Sequence, residues 1–115
     1  MTLIERLKTG PGSRELSDEV LLACGYTYRK REHWQVSDYW YHPNSETIVI
    51  DPPNPTLNTD NALDLVPDGW AITHTYWDRK RAACNLMNEG RKYACGPEAP
   101  TLPLAICAAV LRIEK

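Results

Sequence analysis

The sequence predicts an α+β domain: an antiparallel β-meander of three or four strands with helices packed on both of its faces. Three observations carry that expectation. Trp70 to Trp77 is rich in β-branched and aromatic residues and is followed by two chain reversals. The segment from Leu104 to Ile113 is apolar almost all round, so it must be covered on several sides. Two capped helical patterns precede them, and the 115 residues are enough for one core but not for two good ones.

The elements follow in order. Thr2-Leu3-Ile4-Glu5 has the form of a capping box, in which hydroxyl and carboxylate satisfy opposite orphan amides. The helix it opens ends at Thr9-Gly10-Pro11-Gly12. Ser13 caps a second helix whose Leu16, Val20, Ala23 and Cys24 share a face, and Gly25 follows as a residue free to take positive φ. These two helices occupy residues 1–25.

Residues 26–58 form an aromatic, proline-rich irregular segment. Alternation is imperfect, so one or two short extended pieces are expected, with Ile48-Val49-Ile50 adding a brief strand. Asp51-Pro52-Pro53-Asn54-Pro55 excludes regular structure, because its prolines remove donors and push their predecessors out of the α region. A short helix over 59–67 is capped near Asn58 or Thr59 and carries Ala62, Leu63, Leu65 and Val66. Pro67-Asp68-Gly69 ends it in a turn.

The meander spans 70–96. Asp78-Arg79-Lys80-Arg81 turns the chain into Ala82 to Met87, and Asn88-Glu89-Gly90 turns it again into Arg91 to Cys95. A two-residue loop at Glu89-Gly90 places Asn88 opposite Arg91 and, counting outward, Cys84 opposite Cys95, within ~5.5 Å between Cβ atoms. The expected reading of that pair is two small residues under a closely packed helix, with a disulfide disfavoured in a reducing cell. After Gly96-Pro97-Glu98-Ala99-Pro100, Thr101 caps the last helix, 101–114. Pro103 sits in its first turn, and Arg112 and Lys115 suit its C-terminal end.

Composition narrows the function classes. Hydrophobic residues make up 43% and charged residues 24%, with four Trp, six Tyr and no Phe. A formal charge of −2 disfavours a nucleic-acid coat or membrane-surface protein, both of which need a basic excess. No run reaches the ~18 apolar residues of a membrane span, and Met1 to Lys8 lacks a signal-peptide pattern. The expected location is the bacterial host cytoplasm. There Cys24, Cys84, Cys95 and Cys107, with no C-x-x-C spacing, read as reduced, buried thiols.

No catalytic, cofactor or metal site is expected. His33, His42 and His74 lack H-x-x-x-H or H-E-x-x-H spacing, although His33 and His42 could meet Asp38 and Asp51. No nucleophile elbow or phosphate-cradling loop is present. The candidate interaction surface is aromatic and basic: Tyr28, Arg29, Arg31, Trp34, Tyr39, Trp40 and Tyr41, with Arg79, Lys80 and Arg81 at the hairpin tip. Such a mixture suits interface hot spots. It suits core cover equally well, since large aromatics often close the rim of a small domain.

One resemblance covers nearly the whole chain. Asn61-Ala62-Leu63-Asp64-Leu65-Val66-Pro67, then Gly69-Trp70, a meander, and Thr101-Leu102-Pro103-Leu104-Ala105-Ile106-Cys107-Ala108-Ala109-Val110-Leu111-Arg112 together resemble the phage ABA sandwich domain family. The Ser-Arg-Glu-Leu-x-x-Glu-Val helix at Ser13 to Val20 matches the family's opening. The resemblance implies an α/β/α sandwich and a phage or prophage origin; it implies no activity and carries over no site residue. With the absent motifs it leads to one functional expectation: a non-enzymatic accessory protein that binds a host or phage protein and modulates a host function, including inhibition of antiviral defence. The alternatives are a small-molecule or nucleotide binder that sequesters a signal, and a virion or assembly component. A homo-oligomer stays open in each case.

Overall fold

The computed structural model describes residues 2–29, 39–41, 48–49, 53–78 and 80–113, with Arg29, Tyr39, Ile48 and Val49 described for their backbone alone. Two short helices open the chain. Helix α1 (Leu3–Thr9) starts with the expected capping box: Thr2 Oγ1 accepts from Glu5 N at 3.1 Å, and the Glu5 carboxylate accepts from Thr2 N at 3.4 Å. Helix α2 (Arg14–Ala23) is capped by Ser13, whose Oγ accepts from Leu16 N at 3.0 Å, and Gly25 follows it at φ 99°. Its buried stripe is Leu16, Ser17, Val20 and Leu21. Ala23, expected on that face, is exposed, because a helix turning 100° per residue carries it past the core-facing side.

The segment expected to be irregular holds a second sheet. Strands β1 (Thr27–Arg29), β2 (Tyr39–Tyr41) and β3 (Ile48–Val49) pair antiparallel in the order β1-β2-β3, with Tyr28 opposite Trp40 and Trp40 opposite Val49. Helix α3 (Thr59–Leu63) is capped by Asn58, whose Oδ1 accepts from Asn61 N, and it buries Ala62.

Strands β4 (Trp70–Trp77), β5 (Ala82–Asn88) and β6 (Tyr93–Cys95) form the expected antiparallel meander in the order β4-β5-β6. One register differs from expectation. Asn85 faces Cys95, Leu86 faces Ala94 and Met87 faces Tyr93. Cys84 therefore stands opposite Gly96, whose N–H donates to the Cys84 carbonyl at 3.1 Å. The cause is the turn. Asn88 closes on Lys92, its N–H donating to the Lys92 carbonyl at 3.0 Å, so the loop holds three residues, and Arg91 rather than Gly90 takes positive φ at 59°. A turn followed by one left-handed residue is the common three-residue hairpin. The one-residue slip puts Cys84 and Cys95 on opposite faces, with Cys84 buried and Cys95 exposed, so they do not pair.

Helix α4 (Leu102–Leu111) is the centre of the core. Every residue from Leu104 to Val110 is buried. On one side α4 lies on β5 and β6, where Ala82, Cys84, Leu86 and Ala94 are buried; elsewhere it meets α1 and α3. Leu7, Leu16, Val20, Leu21, Ala62 and Leu65 complete the cluster. Thr101 precedes α4 with extended backbone but makes no side-chain cap bond, and Pro103 lies in the first turn, where a missing N–H leaves no bond unmade. At Gly96 the strand and helix backbones meet so closely that a Cβ would fall 2.8 Å from the Cys84 carbonyl oxygen and 2.9 Å from Ala109 Cβ.

The mixed α+β class and the antiparallel meander are as the sequence predicts. Of the two helical layers expected, the described residues show the one on the Ala82–Cys84–Leu86 face. On the other face His74, Tyr76, Tyr93 and Cys95 are exposed, and Ala83, Asn85 and Met87 are half-buried.

A buried polar contact ties α2 to the chain before α3. Thr56, 1% exposed, receives Ser13 N–H at 3.1 Å and donates its hydroxyl to the Ser13 carbonyl at 2.9 Å. Its hydroxyl also lies 2.6 Å from that of Ser17, which accepts from Thr56 N and donates to Asn54 Oδ1. Among the described residues no buried side-chain polar atom lacks a partner.

Candidate functional site

The predicted aromatic surface divides between core and solvent. Trp40 is only 6% exposed and belongs to the core cluster, so it is not available for contact. Tyr28, 39% exposed, lies against it with ring centroids 5.1 Å apart and planes at 56°, a tilted aromatic pair across β1 and β2. Tyr41 is half-buried. Arg31 and Trp34, with the side chains of Arg29 and Tyr39, lie outside the described residues, as do Arg79, His33 and His42.

The meander presents aromatics that the sequence reading did not single out. Trp77 is 74% exposed, Tyr93 64% and Tyr76 56%. Pairing assigns their faces: Tyr76 opposes Ala83 and Tyr93 opposes Met87, both on the face away from α4. Trp77 opposes Ala82 on the other face, at the end of the sheet. The signal was present but weak. A β-bulge between Ile72 and His74 breaks the alternation within β4, so counting by twos from Trp70 assigns the wrong face to Tyr76.

Both hairpin ends are fixed by side-chain acceptors and carry basic residues. At the first, Asp78 Oδ1 accepts from Lys80 N at 2.8 Å and Arg81 N at 2.9 Å, and Oδ2 accepts the Tyr76 hydroxyl at 2.6 Å. That hydroxyl, followed by the two amides, holds the Asp78 carboxyl below its usual range, and the same bond raises the Tyr76 phenol. Arg81 pairs with Glu98 at 2.9 Å. At the second end, Asn88 Oδ1 accepts from Lys92 N at 2.9 Å, and Arg91 is exposed.

Beside the second hairpin, near the C-terminal end of α4, a depression of about 510 Å³ is lined by Trp70, Lys92, Tyr93, Ala94, Cys95 and Arg112. Neither Lys92 nor Arg112 has a carboxylate within 4.0 Å among the described residues. An aromatic wall with two cations is chemistry that accepts a planar anion by stacking and charge.

Nucleophilic groups are placed less favourably. Burial pushes the Cys84 thiol up to about 11 and Cys107 up to about 12, which leaves both neutral and unreactive near pH 7. Cys107 also donates to the Pro55 carbonyl at 3.4 Å. Cys95 is exposed, contrary to the expectation that all four thiols are buried, because the slipped register turns it outward. His74 is exposed on β4, and among the described residues no three His, Cys, Asp or Glu side chains gather as a metal-binding group. Among the described residues, no helix is long and apolar enough to cross a membrane.

Comparison with known proteins adds no assignment: no family model, no curated protein and no solved structure matches the chain.

Proposed function

We propose that this chain is a non-enzymatic binding protein of phage or prophage origin. It acts in the bacterial host cytoplasm by holding a protein partner and modulating a host function, with inhibition of antiviral defence as its specific form. One observation carries the binding role: the open face of the meander presents Tyr76 and Tyr93, each more than half exposed, between hairpin ends bearing Lys80 and Arg91. Exposed aromatics flanked by cations are the composition of interface hot spots, and on a sheet they are rigidly presented. The phage origin rests on the resemblance carried by Ser13–Val20, Asn61–Pro67 and Thr101–Arg112.

The test is capture from host lysate on the immobilised full chain at physiological salt. A specific partner should be retained by the wild type and by Leu22→Ala, which alters an exposed apolar residue on α2. It should be lost from a Tyr76→Ser/Tyr93→Ser variant. A folded bait that retains nothing, or a partner indifferent to the double substitution, overturns the reading.

The depression beside Trp70 favours a second reading, a binder of small anionic planar molecules such as nucleotides. A thermal-shift screen separates the two, because a ligand at ~100 times its Kd stabilises by about 2.7 kcal/mol. Stabilisation that Arg112→Ala abolishes would favour this reading over the first.

A further inference from the structure

We infer that the chain self-associates through the free edge of β4. A second copy adds its own β4 antiparallel, so that the two meanders become one continuous sheet. This inference differs from the partner proposed above in that its hydrogen bonds come from backbone groups of β4, while His74 and Tyr76 lie on the open face that both readings use.

The hydrogen-bond pattern shows which groups are free. On β5, Asn88 and Cys84 bond toward β6, and Ala82 exchanges both of its bonds with Ala99. The alternate residues Ala83 and Asn85 must therefore bond toward β4, to their partners Tyr76 and His74. The bond from Asp78 N to the Arg81 carbonyl, at 3.0 Å, keeps the same alternation. Thr75 and Trp77 then direct their N–H and C=O groups away from β5. Among the described residues no strand lies on that side, and both residues are exposed.

Natural edge strands are usually guarded by lysine, proline or an inward charge. From Trp70 to Trp77 there is none of these. Among the described residues the one protective device is the bulge between Ile72 and His74, which confines pairing to the segment beyond it. Within that segment the register is determined. Thr75 and Trp77 are both satisfied when Tyr76 faces Tyr76 of the second copy. The N–H and C=O of Thr75 then meet those of Trp77 in the other chain, and the exchange is repeated by the two-fold axis. Antiparallel pairing in this register brings His74 opposite Asp78 of the second copy, an imidazole beside a carboxylate. His74 to Trp77 carry no other ionisable group that would repel its own copy at neutral pH. The Tyr76 rings become neighbours across a non-hydrogen-bonded pair, and Trp77 covers Thr75 of the second copy.

So short an edge buries less than the ~800 Å² per partner of a standard stable interface, so association is weak, with a Kd on the order of 10–100 μM. Sedimentation equilibrium of the full chain from ~5 to ~500 μM should show a reversible approach to twice the 13.1 kDa chain mass. Thr75→Pro removes an outward N–H without touching the β4–β5 ladder, and should leave a folded monomer. His74→Asp sets like charges together twice per dimer and should raise the Kd about tenfold. His74→Lys should lower it about threefold. Tyr93→Ser, which alters the open face but not the edge, should leave it unchanged.

A single 13.1 kDa species at every concentration overturns the inference and leaves the edge to a strand from another protein. So does a folded Thr75→Pro chain that associates like the wild type, or loss of association in Tyr93→Ser. If Thr75→Pro fails to fold, the opposite shifts expected of the two His74 variants decide, and shifts in the same direction refute the pairing.

Discussion

Replacing Thr56 with valine isolates the contribution of one buried hydroxyl. Valine has the same shape, so the change opens no cavity. It does remove the acceptor for Ser13 N–H at 3.1 Å and the donor to the Ser13 carbonyl at 2.9 Å, at a site 1% exposed. Ser17 keeps Thr56 N and Asn54, so the loss falls mainly on Ser13, which caps α2. A buried donor left unmade costs about 1–3 kcal/mol, and the lost hydroxyl–carbonyl bond adds about 1. The expected destabilisation is ~2–4 kcal/mol, or very roughly 8–15 °C in Tm for a chain of this size. Thr56→Ser keeps every hydrogen bond and loses only a methyl, so it should cost ~1 kcal/mol. Urea unfolding followed by tryptophan fluorescence and circular dichroism gives both values. If Thr56→Val is as stable as Thr56→Ser, the hydroxyl is not satisfying Ser13 and the account of this contact is wrong.

Other outcomes follow from the same geometry. In the folded protein at pH 8 a thiol reagent should modify Cys95 quickly and leave Cys84 and Cys107 untouched until denaturant is added; mass spectrometry of digested adducts identifies the sites. Oxidation should produce no Cys84–Cys95 disulfide in the native state, which a non-reducing peptide map would check. The thiols of Cys84 and Cys107 are raised from an ordinary value near 9 to about 11 and about 12, so burial favours their neutral forms. That stability is complete below pH 9 and is lost as pH rises through the folded values, so unfolding midpoints should fall between about pH 9 and 12, less steeply in Cys107→Ala. Gly96→Ala should destabilise by about 1–3 kcal/mol, because the added methyl meets the Cys84 carbonyl and Ala109 with only backbone able to yield. A Tm within 2 °C of wild type would contradict the packing described at that crossing.

Elements governed by local chemistry were the legible ones. Thr2, Ser13 and Asn58 announce helix starts because their side chains bond amides only three residues away. Trp70 to Trp77 reads as a strand to the residue, and the uninterrupted apolar run at Leu104 foretold a helix buried on all sides. What escaped depends on partners distant in sequence. In the β1–β3 sheet the short extended pieces and the brief strand at Ile48–Val49 were legible but their pairing was not, because strands of three residues or fewer give too little alternation to set a register. Trp40 read equally well as core cover or as contact surface, since nothing nearby in sequence reveals that it joins a core built chiefly by other elements. The β5–β6 register failed at the turn: a two-residue loop at Glu89-Gly90 was expected, and the loop takes in Arg91 as a third residue in the left-handed conformation. As for the candidate surface, Tyr76 and Tyr93 could be placed on a common face only with the bulge and the true register in hand.

The central position of α4 has a consequence for how the chain acquires its structure. α1, α3, β5 and β6 all pack on a helix that follows every one of them in sequence. Contacts such as those between α1 and α4 close loops of almost the full chain length, and such non-local contacts slow folding. During synthesis the meander and the early helices emerge with their apolar faces lacking the surface they share, and they stay uncovered until residue 111 has left the ribosome. In that interval the β4 edge, unpaired among the described residues, lies beside apolar faces that α4 has yet to cover, a combination that favours misassembly between nascent chains.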